Sequence, residues 1–397
     1  MAHLREAREE RKEKSKKVFL TPLIRSGRAP RDYFEELLSF AGVSIGGSRP
    51  WDMHVNDPGL FDRVVAKGSL ALGEGYMEGQ WECDSLDGLF HRVLSARLDE
   101  RVGKSFRELW MLIRSLATNA QKGRRAYKVG EHHYDIGNDF YMGMLDVRLA
   151  YSCGYWSDAE SLDASQEAKL DLICRKIDLK PGDKVLDIGC GWGSFAGYAA
   201  EHYGAKLVGI TVSAEQAKYA NERYKELPVE VRLQDYRHLA ERFDHIVSVG
   251  MFEHVGHKNY RTYMELAERC LNDEGNFLLH TIGRNVSSKS VDPWIEKYIF
   301  PNSQLPSPAQ ITAAVEGLFS IRDWHSFGRD YDPTLMAWHK NFEWNWDDIK
   351  GGLDQRFKRM WRYYLLSCAG SFRADDNQLW QILLSKPRKG GEHKNVR

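Results

Sequence analysis

The feature that most constrains the fold of this chain is an alternation of helical and strand patterns that begins near residue 165. The first apolar strand pattern, at 184–188, follows a helical pattern at 165–177. Further strands are expected at 206–211, 229–233, 244–249 and 275–281, with helices at 194–203, 213–226 and 259–270. Repeated strand–helix winding predicts an α/β fold, a doubly wound and mostly parallel sheet covered by helices on both faces.

The first 130 of the 397 residues have a different pattern. Between about Tyr33 and Leu98, short apolar groups alternate with Gly and Asp turns, which indicates a smaller and mainly helical domain. Gly123 and Gly130 then mark a linker. We therefore predict a helical N-terminal domain at 1–120, a linker at 121–130 and a larger α/β domain at 131–397.

Charge is distributed unevenly, although 56 basic residues balance 56 acidic ones. Residues 1–130 hold 23 basic and 18 acidic residues, whereas 131–385 hold 28 and 37. The segment 101–128 contains eight basic residues and a single acidic one, Glu108. No helix-turn-helix or base-stacking pattern accompanies this basic segment, so binding to nucleic acid is not expected.

Hydropathy and the cysteine pattern narrow the class of protein. The mean hydropathy is −0.53, and no apolar run approaches the roughly 18 residues that a membrane span needs. The first ten residues are charged and lack the apolar stretch of a secretory signal, so a cytoplasmic protein is expected. The six cysteines include no C-x-x-C pair, which argues against a zinc site and against a disulfide framework.

A glycine-rich turn follows the first predicted strand, in the sequence V-L-D-I-G-C-G-W-G (185–193). Its glycines would let the backbone approach a ligand beyond the carboxyl end of the strand, although an ordinary tight turn is the alternative. A dinucleotide-binding turn would have its third glycine at position 194, which is Ser194. The spacing G-x-G-x-G, preceded by Asp187, resembles motif I of S-adenosylmethionine (SAM) methyltransferases.

The adenosine side of such a site departs from the usual pattern. Methyltransferases of this kind usually carry an acidic residue at the end of the second strand, where it binds the ribose hydroxyls. Here that strand continues G-I-T-V-S-A-E-Q, so Thr211 and Gln216 are the polar candidates. Asp235, after the third strand, is the candidate for the adenine amino group.

Seven motifs lie in a fixed order along the chain: H-Y-D-I-G-N-D-F-Y (133–141), Y-S-C-G-Y-W (151–156), V-L-D-I-G-C-G-W-G (185–193), V-G-M-F-E-H-V-G (249–256), F-L-L-H-T-I-G (277–283), W-I-E-K-Y-I-F-P (294–301) and L-W-Q (379–381). In order and spacing they resemble the cyclopropane-fatty-acyl-phospholipid synthase family. The resemblance implies an enzyme that transfers a methylene from SAM across a cis double bond of an unsaturated phospholipid acyl chain, which forms a cyclopropane ring.

The resemblance also implies a SAM site and its residues. Tyr151 and Ser152 would lie near the methionyl end of SAM, and the glycine turn would lie under the middle of the molecule. The complete predicted SAM site is Tyr151, Ser152, Asp187, Gly189, Cys190, Gly191, Thr211, Gln216, Asp235 and Tyr236.

Ring closure needs a base, because methyl transfer to an alkene leaves a carbocation that must lose a proton from the new methyl group. In the family this base is understood to be a bound bicarbonate, held in a dry pocket where aromatic faces stabilise the cation. Carried over motif by motif, the bicarbonate cage is Cys153, Glu253, His280 and Tyr331 with the backbone N–H of Ile282. Glu253 would accept the O–H of bicarbonate, while His280 and Tyr331 would donate.

Structural roles are the alternative at several of these positions. Cys153 would then be a buried thiol, His280 a core histidine and Tyr331 a turn residue. Cys368, in S-C-A-G-S-F-R, is a further candidate thiol. Neither methyl transfer to an alkene nor ring closure requires an enzyme nucleophile, so a structural role is the preferred interpretation of Cys368.

Apolar spacing predicts an amphipathic helix at 101–118, whose Trp/Phe/Leu face is flanked by basic residues. Such helices lie on anionic lipid, and packing against another part of the protein is the alternative. We expect peripheral docking on an anionic phospholipid bilayer at the inner face of the membrane. The candidate docking residues are Arg101, Lys104, Arg107, Trp110, Arg114, Lys122, Arg124 and Arg125.

Two other functions remain open from the sequence. The first is a SAM-dependent lipid methyltransferase that leaves a branched methyl group. The second, from another class, is a peripheral lipid-binding protein without catalysis. A homodimer is expected from the family alone, because no residue pattern in this chain indicates one.

Overall fold

The computed structural model describes residues 29–97, 137–288, 291–387 and 396–397. The predicted docking helix at 101–118, with all eight candidate docking residues, lies outside the described residues, and so does the predicted linker at 121–130. Among the residues described, none of the helices has the length and apolar character needed to cross a membrane.

Strands and helices are numbered in chain order over the described residues. The strands are β1 (His54–Val55), β2 (Trp81–Glu82), β3 (Lys184–Ile188), β4 (Lys206–Thr211), β5 (Val229–Leu233), β6 (Phe243–Val249), β7 (Leu271–Gly283), β8 (Ser320–Ser326) and β9 (Gln378–Ser385). The helices are α1 (Pro30–Phe40), α2 (Leu60–Lys67), α3 (Ser69–Met77), α4 (Leu86–Ser95), α5 (Asn138–Met144), α6 (Leu162–Lys176), α7 (Ser194–Tyr203), α8 (Ala214–Arg223), α9 (Tyr260–Cys270), α10 (Pro293–Tyr298), α11 (Pro308–Val315), α12 (Tyr331–Trp344), α13 (Trp346–Ile349) and α14 (Gln355–Arg373). Short 3₁₀ helices span Tyr236–His238, Phe252–His254 and Gly328–Asp330.

The described chain divides into two compact units that are not contiguous in sequence. Residues 29–97 form one unit together with Asp292–Ile299 and Asp354–Ala374, and the remaining described residues form the other. The predicted boundary at residue 131 assigns Asp292–Ile299 and Asp354–Ala374 to the larger domain, whereas the compact units group them with the N-terminal residues.

The first unit is mainly helical, as predicted, with one short antiparallel pair, β1–β2. Its core is aromatic: the ring of Tyr363 on α14 packs against Trp294 on α10 at 4.6 Å and against Tyr76 on α3 at 5.7 Å between centroids. Gly73 on α3 lies directly against the Trp294 ring, so any Cβ at that position would collide with the indole. Aromatic packing thus joins segments that are more than 200 residues apart in the sequence.

The second unit contains a seven-stranded sheet in the order β5-β4-β3-β6-β7-β9-β8. The first five strands are parallel, and β9 pairs antiparallel with both β7 and β8. Apolar residues of the strands pack against helices in two large clusters, one with α9 and α11 and one with α6 and α7. The predicted doubly wound, mostly parallel α/β fold is therefore confirmed.

Candidate active site

Three glycines shape the turn that follows β3. Gly189, Gly191 and Gly193 have φ of 79°, 54° and 79°, a region that favours glycine. A Cβ at Gly189 would lie 2.7 Å from Cγ of Met251, whereas a Cβ at Gly191 would meet no atom within 4 Å. The N–H groups of Gly189 and Cys190 both donate to the carbonyl of Ile210 on β4. The turn is therefore fixed against its neighbours on one side and open at Gly191.

The two polar candidates after β4 contact each other. Thr211 Oγ1 donates to Gln216 Oε1 at 2.9 Å, and both residues are buried. Asp235 is held by Arg237, whose Nη2 and Nε lie 2.6 and 2.9 Å from its two carboxylate oxygens. This guanidinium keeps the pKa of Asp235 below its usual value. Tyr236 is partly buried, and its ring meets Tyr263 edge-on at 5.2 Å.

Asp187 lies in the middle of the sheet, in register with Gly209 of β4 and Val247 of β6. Burial raises the pKa of its carboxyl to about 7, and the nearby ammonium of Lys169 opposes that rise. A carboxyl with such a pKa can be neutral or charged near neutral pH, and a cationic ligand would favour the charged form.

Helix α6 supports the segment that carries Tyr151 and Ser152. Gln166 Nε2 donates to the carbonyl of Ser152 at 2.7 Å, and Lys169 Nζ donates to Ser152 Oγ at 2.9 Å. On the other side of the segment, the ring of Tyr151 lies 5.2 Å from the ring of Trp338 on α12. Tyr151 therefore belongs to an aromatic group that also includes Tyr141 and Phe300.

Glu253 lies on the 3₁₀ helix that follows β6 and is fully buried. Its Oε1 accepts a hydrogen bond from the backbone N–H of Ile282 at 2.7 Å. Strand β6, which pairs with β7, ends at Val249, so it has no residue opposite Ile282 that could accept from this N–H. Its Oε2 is buried and has no hydrogen bond of good geometry from any described residue, although the nearby hydroxyl of Thr281 acts to lower the pKa of this carboxyl. Desolvation raises the pKa of Glu253 to about 7. The structure thus joins two of the predicted cage groups and leaves one carboxylate oxygen available.

His280 lies on β7, two residues before Ile282, directly opposite Gln381 of β9. Its Nδ1 is 3.3 Å from Gln381 Nε2, and its Nε2 is buried with no hydrogen-bond partner in the described part of the chain. Burial holds the pKa of this imidazole well below its usual value, so the ring is neutral. Because the amide NH₂ donates to Nδ1, the remaining proton is on Nε2, which therefore faces its surroundings as a donor.

Cys153 and Tyr331 are connected through the first turn of α12. The Sγ of Cys153 donates to the carbonyl of Gly154 at 3.1 Å and lies 3.9 Å from Oγ1 of Thr334. Burial keeps the pKa of this thiol well above its usual value, so it is protonated. Tyr331, the first residue of α12, is buried and meets Trp338 edge-on at 6.0 Å. Cys153 is therefore a hydrogen-bond donor in this structure and is not a thiolate.

Aromatic rings connect the segment after Cys153 to the histidine. The ring of Phe327 lies 5.4 Å from Tyr155 and 5.8 Å from His280, in each case edge-on. Among the cage residues, a hydrogen bond joins Glu253 to Ile282, and Cys153 contacts the first turn of α12, which begins at Tyr331.

Cys368 belongs to a different compact unit from the other described candidates. It lies on α14, in the first compact unit, whereas all the other described candidate site residues belong to the second unit. Desolvation raises the pKa of its thiol to about 12, so it is not an activated nucleophile.

Three residues of the site were not predicted from the sequence: Gln166, Lys169 and Gln381. Gln381 ends the L-W-Q motif, to which the sequence analysis assigned no role. Lys169 occupies the apolar face of α6, since Lys169, Leu172, Ile173 and Lys176 follow the spacing i, i+3, i+4 and i+7. Two lysines at core positions of a helix were the signal that could have identified Lys169.

The sheet order, the turn at 189–193 and the buried carboxyl of Asp187 define a class I SAM-dependent methyltransferase. Solved structures with the same architecture include coclaurine N-methyltransferase, at 24% identity and a TM-score of 0.65, a likeness that concerns the fold alone. The chain belongs to the mycolic acid cyclopropane synthetase family, whose model matches residues 121–382. The resemblance seen in the seven motifs is thereby confirmed.

Named relatives agree with this assignment. The chain is 52% identical to the cyclopropane-fatty-acyl-phospholipid synthase of Escherichia coli K12, over 90% of this chain and 93% of the relative. It is 33% identical to a probable fatty acid methyltransferase of Pseudomonas putida, over 88% and 90% of the two chains. A solved cyclopropane synthase from Mycobacterium tuberculosis matches 67% of this chain and 100% of its own length, at 29% identity and a TM-score of 0.62. A mycolic acid cyclopropane synthase solved with SAH and CTAB gives the same TM-score at 30% identity, over 67% of this chain and all of its own. The protein is accordingly a SAM-dependent methyltransferase.

Proposed function

We propose that the protein adds a methylene group from SAM across a cis double bond of an unsaturated phospholipid acyl chain, forming a cyclopropane ring. One observation carries the proposal. Among the described residues, nothing makes a well-formed hydrogen bond to Glu253 Oε2 or His280 Nε2; burying such polar atoms is costly, which supports a place for a ligand. The synthase of Escherichia coli, at 52% identity, supports the choice of a phospholipid acyl chain.

The residues present suit a bicarbonate ion. Bicarbonate has one O–H to donate and oxygens that accept, and the site has an acceptor in Glu253 Oε2 and a donor in the Nε2–H of His280. In our proposal Cys153, Tyr331 and the backbone of Ile282 complete its surroundings. A bound bicarbonate would supply the base that removes a proton from the transferred methyl group. Glu253 must be ionised to accept the O–H, and its pKa of about 7 allows this near neutral pH.

The aromatic group around Tyr151 suits the carbocation that precedes ring closure. Tyr151, Trp338 and Tyr331 are packed against one another, and Trp338 is fully buried. Rings of this kind exclude water, which would capture the cation, and their faces stabilise positive charge without reacting with it.

For SAM itself we propose the residues that surround the glycine turn. The turn at Gly189, Cys190 and Gly191, which is open at Gly191, would lie beside the sulfonium and ribose, and the Thr211–Gln216 pair offers hydroxyl and amide groups to the ribose. Asp235 and Tyr236 would bind the adenine, with the carboxylate of Asp235 shared between adenine and Arg237. Tyr151 and Ser152 lie toward the methionyl end.

Access to the substrate requires contact with a bilayer, because the double bond lies in the middle of an acyl chain. We assign this contact to the basic segment 101–128 within a lipid-docking N-terminal region, and place the protein peripherally at the cytoplasmic face of the inner membrane as a homodimer. Each basic residue near an anionic surface contributes on the order of 1 kcal/mol. Replacing Arg114, Lys122 and Arg125 with Glu should weaken sedimentation with anionic vesicles and leave SAM binding unchanged; unchanged sedimentation would contradict the assignment.

A second candidate is methyl transfer that stops at a branched methyl group; the Pseudomonas putida relative is named a probable fatty acid methyltransferase. Proton NMR of the lipid separates the candidates after the purified protein is incubated with SAM and vesicles of a cis-unsaturated phospholipid. Upfield cyclopropane methylene signals support our proposal, and a branched methyl signal supports the second candidate. No change in phospholipid, free fatty acid or carrier-bound lipid would point to a non-catalytic lipid-binding protein.

A further inference from the structure

The segment 150–152 is held by two buried polar side chains of α6 that no motif identified. Gln166 and Lys169 are 0% and 1% exposed, so each was removed from water to make its contacts. Gln166 Nε2 lies 2.7 Å from the carbonyl of Ser152 and 3.4 Å from that of Ala150. Lys169 Nζ lies 2.9 Å from Ser152 Oγ.

These contacts determine which groups remain available. An ammonium can only donate, so Ser152 Oγ accepts from Lys169, and the hydroxyl proton of Ser152 is left for another acceptor. Carbonyls can only accept, so the amide NH₂ of Gln166 must face Ser152 and Ala150, which directs Oε1 the other way. That Oε1 is buried and accepts no hydrogen bond from any residue that the structure describes. The segment thus presents one free donor and one free acceptor.

A free donor and a free acceptor are what an amino-acid zwitterion requires. We propose that Ser152 and Gln166 bind the amino-acid end of SAM, with the Ser152 hydroxyl donating to the carboxylate and Gln166 Oε1 accepting from the ammonium. Lys169 is the positioning residue that turns the Ser152 hydroxyl toward the ligand. This inference rests on the proposed location of the methionyl end beside Tyr151 and Ser152.

The surroundings of Lys169 explain why a lysine is tolerated there. The carboxylates of Asp146 and Asp187 stabilise its charge, while burial lowers its pKa to about 8. Asp146 is itself fixed by the N–H groups of Ala150 and Arg148, at 2.7 and 2.9 Å. Replacing a buried ion pair by apolar side chains is often neutral or stabilising, so packing alone does not account for Lys169.

Three ligands distinguish this role from a structural one. The first is SAM itself. The second is decarboxylated SAM, which lacks only the carboxylate, and the third is methylthioadenosine, which lacks the whole amino-acid end. Competition against labelled SAM measures the affinity of the protein for each ligand without any lipid. We expect Lys169→Met and Ser152→Ala to weaken the binding of SAM by about 10- to 100-fold, the range for a hydrogen bond to a charged group. The affinity for decarboxylated SAM should stay unchanged. Gln166→Met should weaken the binding of SAM and of decarboxylated SAM and leave the binding of methylthioadenosine unchanged.

Matched controls come from the same helix. Lys176, also buried on α6, contacts Asp323 and His325, so Lys176→Met should leave the ratio of the three affinities unchanged. Because Lys169 acts through Ser152, the double variant Ser152→Ala/Lys169→Met should bind SAM no more weakly than Ser152→Ala.

Two results would overturn the inference: an equal loss for all three ligands, which would indicate general distortion, or no loss for any. Should Lys169→Met fail to fold, Ser152→Ala and Gln166→Met decide the matter alone. Since no lipid is present, failure of cyclopropane formation would not affect this test.

Discussion

Two buried polar clusters of the α/β unit differ in how completely they are paired. In the first, which we term the paired cluster, Lys176 Nζ lies 3.4 Å from Asp323 Oδ2 and 3.0 Å from His325 Nδ1. Arg397 adds two hydrogen bonds to the same carboxylate, at 2.6 and 2.7 Å. This carboxylate is therefore fully used within the protein.

The second cluster, at Glu253 and His280, uses one atom of each side chain and leaves the other without a partner. In both clusters, burying polar groups costs free energy of folding. Only in the paired cluster do hydrogen bonds and ion pairs within the protein offset that cost. In our proposal the first cluster therefore serves stability and the second serves a ligand. The following predictions test that division, from the largest expected effect to the smallest.

Glu253→Gln should lower turnover by about 10²- to 10³-fold, the range for losing one directed polar group at a reacting centre. The amide oxygen can still accept from Ile282, so SAM binding and folding should be retained. Turnover is measured as cyclopropane formed in cis-unsaturated vesicles, and SAM binding by calorimetry. Near-normal turnover would remove Glu253 from the proposed cage.

Asp323→Asn should have the opposite profile. Removing the charge leaves the buried ammonium of Lys176 without its carboxylate, and breaking a buried pair costs about 3 to 5 kcal/mol of the free energy of unfolding. Denaturant unfolding measures this loss. Asp323 makes no hydrogen bond to Glu253 or His280, so turnover per folded molecule should fall far less than in Glu253→Gln, even though His325 of the same cluster lies opposite Gln381 on β9. A large loss of turnover with unchanged stability would contradict the division.

Glu253→Gln should also make the protein more stable at alkaline pH. Burial raises the pKa of Glu253 from 4.5 to about 7, so the folded state holds this proton more tightly than the unfolded state and loses stability as pH rises from 4.5 to 7. The variant lacks this loss, which amounts to about 3 kcal/mol above pH 7 and less than about 1 kcal/mol at pH 5.

Thermal and denaturant unfolding at pH 5 and pH 8 measure this difference. Glu222→Gln, at an exposed position on α8, is the matched control and should show no such dependence on pH. A Glu253→Gln variant that is less stable than the wild type at pH 8 would show that the carboxylate has a partner in the folded protein.

Gln381→Leu should slow turnover by about 5- to 10-fold, the equivalent of one hydrogen bond, because nothing then fixes the proton of His280 on Nε2. Gln381→Glu is the sharper comparison. A carboxylate at this position accepts from Nδ1–H, which turns Nε2 into an acceptor, so this variant should be slower than Gln381→Leu. Equal rates for the two variants would mean that turnover does not depend on which nitrogen of the His280 imidazole carries the proton.

Cys368→Ala should change turnover by less than about twofold, because a thiol with a pKa of about 12 is not a nucleophile near neutral pH. Mass spectrometry of the protein after turnover should find no covalent adduct at this residue. A large loss with retained stability would restore Cys368 as a candidate.

Sequence patterns identified the parallel part of the sheet closely. The predicted strands 184–188, 206–211 and 229–233 agree with β3, β4 and β5, and the predicted helix 194–203 agrees with α7. Strands β3 and β4 were predictable because each is a short, largely apolar run bounded by turn residues, and β5 because its apolar and charged residues alternate. The strand predicted at 275–281 lies within the longer β7, in which residues 272–274 carry polar side chains.

The antiparallel strands β8 and β9 were not predicted, and Gln381 on β9 was therefore not recognised as a partner of His280. β9 is inserted between β7 and β8, and no local pattern indicates which strand pairs with which when the two are more than 90 residues apart. The pairing of His280 with Gln381 therefore depends on topology alone. Gln166 and Lys169 were missed for a related reason, since a polar residue on an apolar helix face becomes informative only when its partner is known.

The position of β9 has a consequence for the order in which the enzyme matures during synthesis. Ribosomes release a chain from its N-terminus, so β3 to β7 emerge while the place beside β7 is still empty. His280 acquires Gln381 only after residue 381 has left the exit tunnel. A nascent chain that already has its glycine turn therefore still lacks the histidine arrangement proposed for proton removal, which can form only after β9 has been translated.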